Sequence, residues 1–291
     1  PPKMKTYLEK TGRKPIKCKK LVAALSGDKL LLYAPYIQWA LEHGAIIEKV
    51  YKTIDYQAEV IFKWFVDQVT EARRTGDVDK AKALLAEVFK LLGNAAYGKM
   101  IEALERQTDI IYTTDEKTVD QHLRSPYFND LNEIGDAYEI DSNKEQINIT
   151  RPYQCGIAVY QLAKLRMLEF YYDFLDKYFD RRDYELIQMD TDSFYLAISG
   201  NSLEEIVRPE LKREFEINKP KWLAWDKFSG RTPGLFKMEF EGDRMIALCS
   251  KCYYTENIKT NKSKYSTKGM SHRYNTIDWN RFKNALIGVL M

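Results

Sequence analysis

The sequence predicts an α+β fold with antiparallel sheet, on three observations. Residues 57–98 carry apolar side chains at helical spacing. Residues 184–198 form two strand-like runs around a polar bend, which reads as a β-hairpin. An apolar fraction of 45% over 291 residues is ordinary for a globular core and leaves room for one large or two smaller domains. The formal net charge of +3 neither demands nor forbids a polyanionic partner. No apolar run approaches the roughly 20 residues of a bilayer span, so no membrane partner is expected. No basic segment followed by an apolar one opens the chain as a secretory signal would.

The elements follow in chain order. Leu30–Tyr33 reads as extended, Tyr36–His43 as a helix closed by Gly44, and Ile46–Tyr56 as extended again. Gln57–Arg74 reads as an amphipathic helix with Ile61, Trp64, Phe65 and Val69 on one side. Thr75-Gly76-Asp77 reads as a break. A second long helix runs from Asp79 to about Met100, through Leu84, Leu85, Val88, Leu91 and Leu92. Two such helices joined tightly make an αα-hairpin, with Arg73, Arg74, Lys80 and Lys82 near its tip. A strand is expected around Asp109–Thr113, a polar insertion over Asp115–Asn148, and a helix over Gly156–Phe179. Beyond the acidic hairpin come a strand at Phe236–Phe240 and a final helix from Trp279.

Chemistry concentrates in three places. Asp190-Thr191-Asp192-Ser193 lies at the hairpin bend, and alternation along a strand predicts both carboxylates on one face. Two hard oxygen ligands suit Mg²⁺, although Asp and Ser are also ordinary turn residues. On the second long helix, Lys90, Asn94 and Tyr97 fall within a stripe roughly 60° wide, by helical geometry. A lysine there can hold a triphosphate and a tyrosine ring can pack on a base or sugar. A solvated helix face explains the same pattern. Toward the end, Lys251, Lys259, Lys262, Lys264, Lys268 and Arg273 interleave with Tyr253, Tyr254, Tyr265 and Tyr274, as in a nucleic-acid track. A second basic cluster, Lys14, Lys17, Lys19 and Lys20, lies near the start. Cys249-Ser250-Lys251-Cys252 has the spacing of a redox pair or half a zinc site. The low cysteine count suggests reduced thiols.

Taken together, these segments resemble a family. Lys90-x-x-x-Asn94-Ala95-x-Tyr97-Gly98 is similar to the K-x-x-x-N-S-x-Y-G helix motif of family B DNA polymerases, and Asp190-Thr191-Asp192-Ser193 to their D-T-D-S metal motif. Lys251-Cys252-Tyr253 resembles the K-x-Y motif of the protein-primed branch, found in viruses, linear plasmids and transposons. Residues 156–165 and 169–172 resemble the palm helix of the transposon-like and large-virus members. The resemblance implies template-directed DNA synthesis with two Mg²⁺ ions, or Mn²⁺ in their place, on a DNA primer–template with dNTPs. A terminal protein is the implied primer of the branch. Asp192 would be the principal metal ligand and Asp190 the accessory one. Lys90 would contact phosphates, Tyr97 the sugar and base, and Asn94 would support that face. Lys251 and Tyr253 would steady the primer end. The acidic bend and the lysine–tyrosine face would then converge on one triphosphate cleft. The implied domains are an N-terminal part of the palm at 1–56, fingers at 57–98, palm at 99–245, and primer-contacting loops with the start of a thumb at 246–291.

Departures qualify this. Ala95 stands where the family has Ser, and the family's first acidic motif, D-x-x-S-L-Y-P, is nowhere in the chain. The chain therefore reads as a fragment expected to be inactive alone. Two other readings stay open: a polymerase remnant that binds nucleic acid without catalysis, and a metal-dependent nucleotide-sugar glycosyltransferase, whose chemistry also uses Asp-x-Asp. Compartment is undetermined.

Overall fold

A computed structural model describes residues 27–57, 59–271, 273 and 275–290. The Lys14–Lys20 cluster, Cys18 and Tyr274 lie outside them. The expected α+β architecture with antiparallel sheets is present.

Helix α1 (Ala34–Glu42) starts with Pro35 in its first turn and ends as the sequence indicates. Gly44 takes φ 88°, the Gly44 N–H donates to Leu41 at 3.1 Å, and the Ala45 N–H donates to Ala40 at 2.9 Å. That pair of bonds is a Schellman closure, which a residue with a Cβ adopts only under strain. The flanking segments 30–33 and 46–56 form no strand, a correction to the expectation; among the described residues no strand lies beside them to pair with.

The αα-hairpin is formed by α2 (Lys63–Val78) and α3 (Ala83–Met100). Residues 57 and 59–62 are not helical. Thr75-Gly76-Asp77, read as a break, is instead the last turn of α2. A Cβ on Gly76 would collide with that of Ala86, so the glycine serves close helix packing there. Gly93 does the same against Val69, at 3.2 Å. The chain turns at Asp79, whose carboxylate accepts the Ala81 N–H at 2.9 Å. Leu84, Leu85, Leu91 and Leu92 are exposed. The hairpin tip docks on residues 225–232: Arg231 holds Asp77 through two bonds of 2.6 Å, and Arg74 lies 3.8 Å from the Phe228 ring centroid.

Strand β1 (Thr108–Thr113) is as expected, but residues 115–148 are more than a polar insertion. Asp115 caps α4 (Glu116–Leu123), and β2 (Phe128–Ile134) and β3 (Ala137–Asn143) complete an antiparallel sheet of order β1-β3-β2. Gly135, at φ 66°, makes the tight β2–β3 turn, and Ile140 of the central strand is fully buried.

Helix α5 (Tyr153–Glu169) continues through a wide π turn, Phe170–Leu175, to Tyr178. Its start is pinned to the end of α3. Gly156 abuts Ile101 and Met100, and the Tyr153 hydroxyl donates to the Glu102 carbonyl at 2.8 Å. Its far half carries the main core of Phe170, Phe174, Leu175, Tyr178 and Phe179. The acidic hairpin, β4 (Tyr184–Asp190) and β5 (Ser193–Ile198), rests on that core. Ring centroids of Phe170 and Phe194 stand 5.5 Å apart. Helix α6 (Lys212–Asn218) closes the core through Phe215, which is almost fully buried.

The strand expected at Phe236–Phe240 is absent. Phe236 makes one isolated bridge to Leu223 and stacks on Phe170 at 4.0 Å, so its inward side chain reflects core packing and not sheet alternation. The region read as primer-contacting loops is a three-stranded meander, β6 (Arg244–Cys249), β7 (Cys252–Asn257) and β8 (Lys262–Thr267). Helix α7 (Trp279–Leu290) packs on it, Phe282 meeting Ile246 and Tyr254. Among the described residues no helix is long and apolar enough to cross a membrane.

Candidate functional site

The acidic bend is a two-residue turn. Asp190 pairs with Ser193, and Thr191 and Asp192 form the loop. Thr191 takes φ 50°, an uncommon and costly conformation for a β-branched residue. The Asp192 N–H donates to the Asp190 carbonyl at 2.5 Å, and the Ser193 hydroxyl donates to the same oxygen at 3.2 Å. Asp190 is half-buried and Asp192 exposed. The alternation argument is corrected here: Asp192 is a turn residue, so the turn and not strand periodicity sets the two carboxylates beside each other in the chain.

The β6–β7 hairpin meets this bend. Lys251 Nζ lies 3.5 Å from Asp190 Oδ1, with Lys251 itself at φ 61° in its turn. Behind that pair, the Tyr195 hydroxyl donates to the Tyr253 hydroxyl at 2.9 Å, their ring centroids 4.7 Å apart. Burial first, then the Tyr195 hydrogen bond and the nearby carboxylates of Glu239 and Asp190, pushes the Tyr253 hydroxyl well above the usual tyrosine range. It stays protonated. Glu239 is held by Lys264 at 2.8 Å and Lys237 at 3.2 Å, which lower its pKa.

Sequence reasoning missed Tyr195 and Glu239. A signal for Tyr195 was present: β5 alternates, so with Phe194 in the core Tyr195 faces the other way. The side chain of Gln188, opposite Tyr195, is also informative. Both its amide oxygen and its nitrogen are buried and have no hydrogen-bond partner among the described residues.

Lys90, Asn94 and Tyr97 share one face of the unbroken α3. Lys90 and Asn94 are exposed and Tyr97 is half-buried. Lys90 bonds Glu87 at 3.2 Å. A Cβ on Gly98 would meet nothing within 4 Å, so space is open there. Among the described residues no hydrogen bond or ion pair joins this face to the acidic bend. Clefts of about 400 and 150 Å³ lie instead at the hairpin tip, lined by residues that include Asp77, Trp225, Lys227, Arg231 and Lys237. Neither Asp190 nor Asp192 lines them.

Residues 37–193, just over half of the chain, match the family of DNA polymerases of type B, organellar and viral. The chain belongs to this family. No curated protein and no solved structure matches it. Membership in the organellar and viral type B DNA polymerases implies DNA synthesis as the family's activity, with DNA and dNTPs as partners and divalent metal ions as cofactors. The matched span includes α3 with Lys90, Asn94 and Tyr97, and ends at the acidic turn; Lys251 and Tyr253 lie beyond it. In this type B polymerase chain, no three His, Cys, Asp or Glu side chains among the described residues converge as a metal cage. Mg²⁺ commonly uses one or two carboxylates plus substrate phosphates. Asp190 and Asp192 therefore fit an ion that arrives with a triphosphate, and do not fit a free-standing protein site.

Proposed function

We propose that this chain carries part of the nucleotide-transfer face of a type B DNA polymerase of the protein-primed branch. The observation that supports this best is the 3.5 Å pairing of Asp190 with Lys251, backed by the Tyr195–Tyr253 bond. It sets the D-T-D-S turn against the K-x-Y turn, two segments 58 or more residues apart in the chain. Asp192, exposed at the turn, is the principal carboxylate and Asp190 the accessory one. Metal ions held there with a triphosphate would lower the pKa of a primer hydroxyl and neutralise phosphate charge. Lys90 binds the triphosphate, Tyr97 packs beside sugar and base, and Asn94 orients that face. Lys251 and Tyr253 steady the primer end. Residues 57–98 act as fingers, 99–245 as palm with 1–56 as its N-terminal part, and 246–291 as the primer-contacting region with the start of a thumb. A terminal protein is the primer this branch would use.

A second reading has its own support. With two carboxylates and no third converging ligand among the described residues, the 291 residues bind DNA and nucleotide but do not extend a primer. Two measurements decide. Calorimetric titration of Mg·dNTP into the chain should show Lys90→Ala and Asp192→Ala each weakening binding about tenfold, the loss of one charge-assisted contact. Unchanged affinity in both variants rejects the site. Mg²⁺-dependent primer extension by the 291 residues, lost in Asp192→Ala, would reject the non-catalytic reading and keep the site.

A further inference from the structure

Cys249-Ser250-Lys251-Cys252 has a spacing that DNA synthesis leaves unexplained. The two cysteines close the β6–β7 hairpin as its last cross-strand pair. A bulge makes that pairing. The register shifts between Ala247 and Cys249; continued without the extra residue from Ala247 opposite Tyr253, it would set Leu248 against Cys252. Directly opposed residues in an antiparallel pair have Cα atoms about 4.5–5.5 Å apart, within the span of a disulfide. Both cysteines are free thiols, Cys249 exposed and Cys252 half-buried. An oxidant therefore reaches one sulfur while the other stands next to it. The Cys252 thiol interacts with the Cys249 side chain, and burial followed by that neighbour pushes its pKa up. Two thiols make half a tetrahedral zinc shell, and among the described residues no third ligand joins them.

We propose that Cys249 and Cys252 form a reversible thiol–disulfide modification site, oxidised by a peroxide, whose disulfide locks the turn that carries Lys251. The Cys249 thiolate attacks a peroxide oxygen; the O–O bond breaks, an S–O bond forms and hydroxide leaves. The Cys252 sulfur then attacks the Cys249 sulfur, forming the S–S bond. The sulfenic oxygen leaves as water with the proton of the Cys252 thiol. Two thiols lose two electrons and the peroxide is reduced to two waters, the hydroxide taking the Cys249 proton. A small dithiol reverses the step by exchange. The turn is already constrained: Lys251 sits at φ 61°, its carbonyl accepts the Lys268 N–H at 3.3 Å, and its ammonium meets Asp190. A bond between the flanking sulfurs fixes the two residues between them.

Trypsin cleaves after Lys251, between the two cysteines, and so reads the link directly. The reduced chain is treated with equimolar hydrogen peroxide, alkylated, denatured and digested. The peptide ending at Lys251 and the one beginning at Cys252 should stay joined until reduction, two hydrogen atoms lighter than the pair of free thiol peptides. Cys249→Ser and Cys252→Ser should each abolish the link. Peptides that separate without reduction, or a link to Cys18 or Cys155, overturn the proposal. A consequence for DNA rests on the proposed role of Lys251. Oxidation should weaken primer–template binding roughly fivefold, the scale of one phosphate contact, and reduction should restore it, with Cys249→Ser indifferent to peroxide. A disulfide that forms without change in DNA affinity upholds the modification site and overturns Lys251 as a DNA contact.

Discussion

Asp176 shows how one residue can hold the acidic hairpin in place. Its carboxylate accepts from Arg181 Nε at 2.8 Å, and also from Arg181 Nη2 and the Tyr184 hydroxyl at the root of β4. Burial pushes its pKa up, but the Arg181 and Tyr184 bonds outweigh burial and the net shift is downward. A depressed folded pKa contributes stability above the unfolded value, lost as pH falls through the folded one. Asp176→Asn should therefore cost about 1 kcal/mol near pH 7, discounted because Arg181 is largely exposed. The difference from wild type should begin to shrink as pH falls below about 4, the ordinary aspartate range, and disappear only below the depressed folded value. Urea melts of both proteins across that range check it; a constant difference would refute the assignment. At this scale the sequence marks individual residues and misses their partners. Asp190, Lys251 and Tyr253 stand out because their motifs are contiguous. Tyr195 and Gln188 do not, because their pairing depends on a bulge between Leu186 and Gln188 that no local pattern announces. Glu239 is missed because it reaches the site through Lys264, 25 residues away in sequence.

The elements were legible where one face is apolar over many residues, as in α3, and blurred where tertiary packing overrides local propensity. Gly76 reads locally as a breaker, yet α2 runs through it because α3 needs the space. The 115–148 segment reads as polar because β2 and the turn residues are mostly exposed, while its one fully buried anchor, Ile140, is a single residue. Helix α1 is joined to α5 by a contact invisible in the sequence. His43 Nε2 lies 2.7 Å from Asp173 Oδ1, its Nδ1 lies 2.8 Å from the Trp39 carbonyl, and Trp39 Nε1 donates to Asp173 Oδ2 at 2.8 Å. Both ring nitrogens face acceptors, which a neutral imidazole satisfies only once. The Trp39 carbonyl, opposed by partial burial and helped by Asp173, raises the His43 pKa above 6.5. A raised pKa gives stability that is complete below the unfolded value and is lost as pH rises through the folded one. Amide protection over Trp39–Glu42 should accordingly fall as pH rises above about 7, after correction for intrinsic exchange. In Asp173→Asn, His43 should titrate lower by NMR and that pH dependence should shrink. An unshifted His43 titration in the variant would show that Asp173 does not hold α1.

At the scale of the whole molecule the sequence conveyed the α+β class but not how the parts meet, because the contacts that join them are few and long-range. Arg231–Asp77 and Asp190–Lys251 are examples, each bringing together segments far apart in the chain. Charge behaves the same way. A net charge of +3 is too small to drive DNA binding as an average, so affinity must come from where the cations stand. Lys262 opens β8, Lys264 is spent on Glu239, and Lys268 follows the strand with its N–H on the Lys251 carbonyl. At about 3.3 Å per residue, that strand extends the cationic line roughly 20 Å from the Lys251 turn, enough for several phosphates. Lys259, Lys262 and Lys268 are exposed and make no ion pair among the described residues. Each phosphate they neutralise releases about 0.9 counterion on duplex DNA. The triple change of these lysines to Ala should therefore flatten the plot of log binding constant against log salt by about 2–3 units, and weaken binding to all sequences alike. Reversing only Lys80 and Lys82 at the far hairpin tip should leave the slope nearly unchanged. An equal effect from both sets would mean that DNA sees the molecule as a diffuse cation, and the β8 edge would lose its claim to the primer duplex.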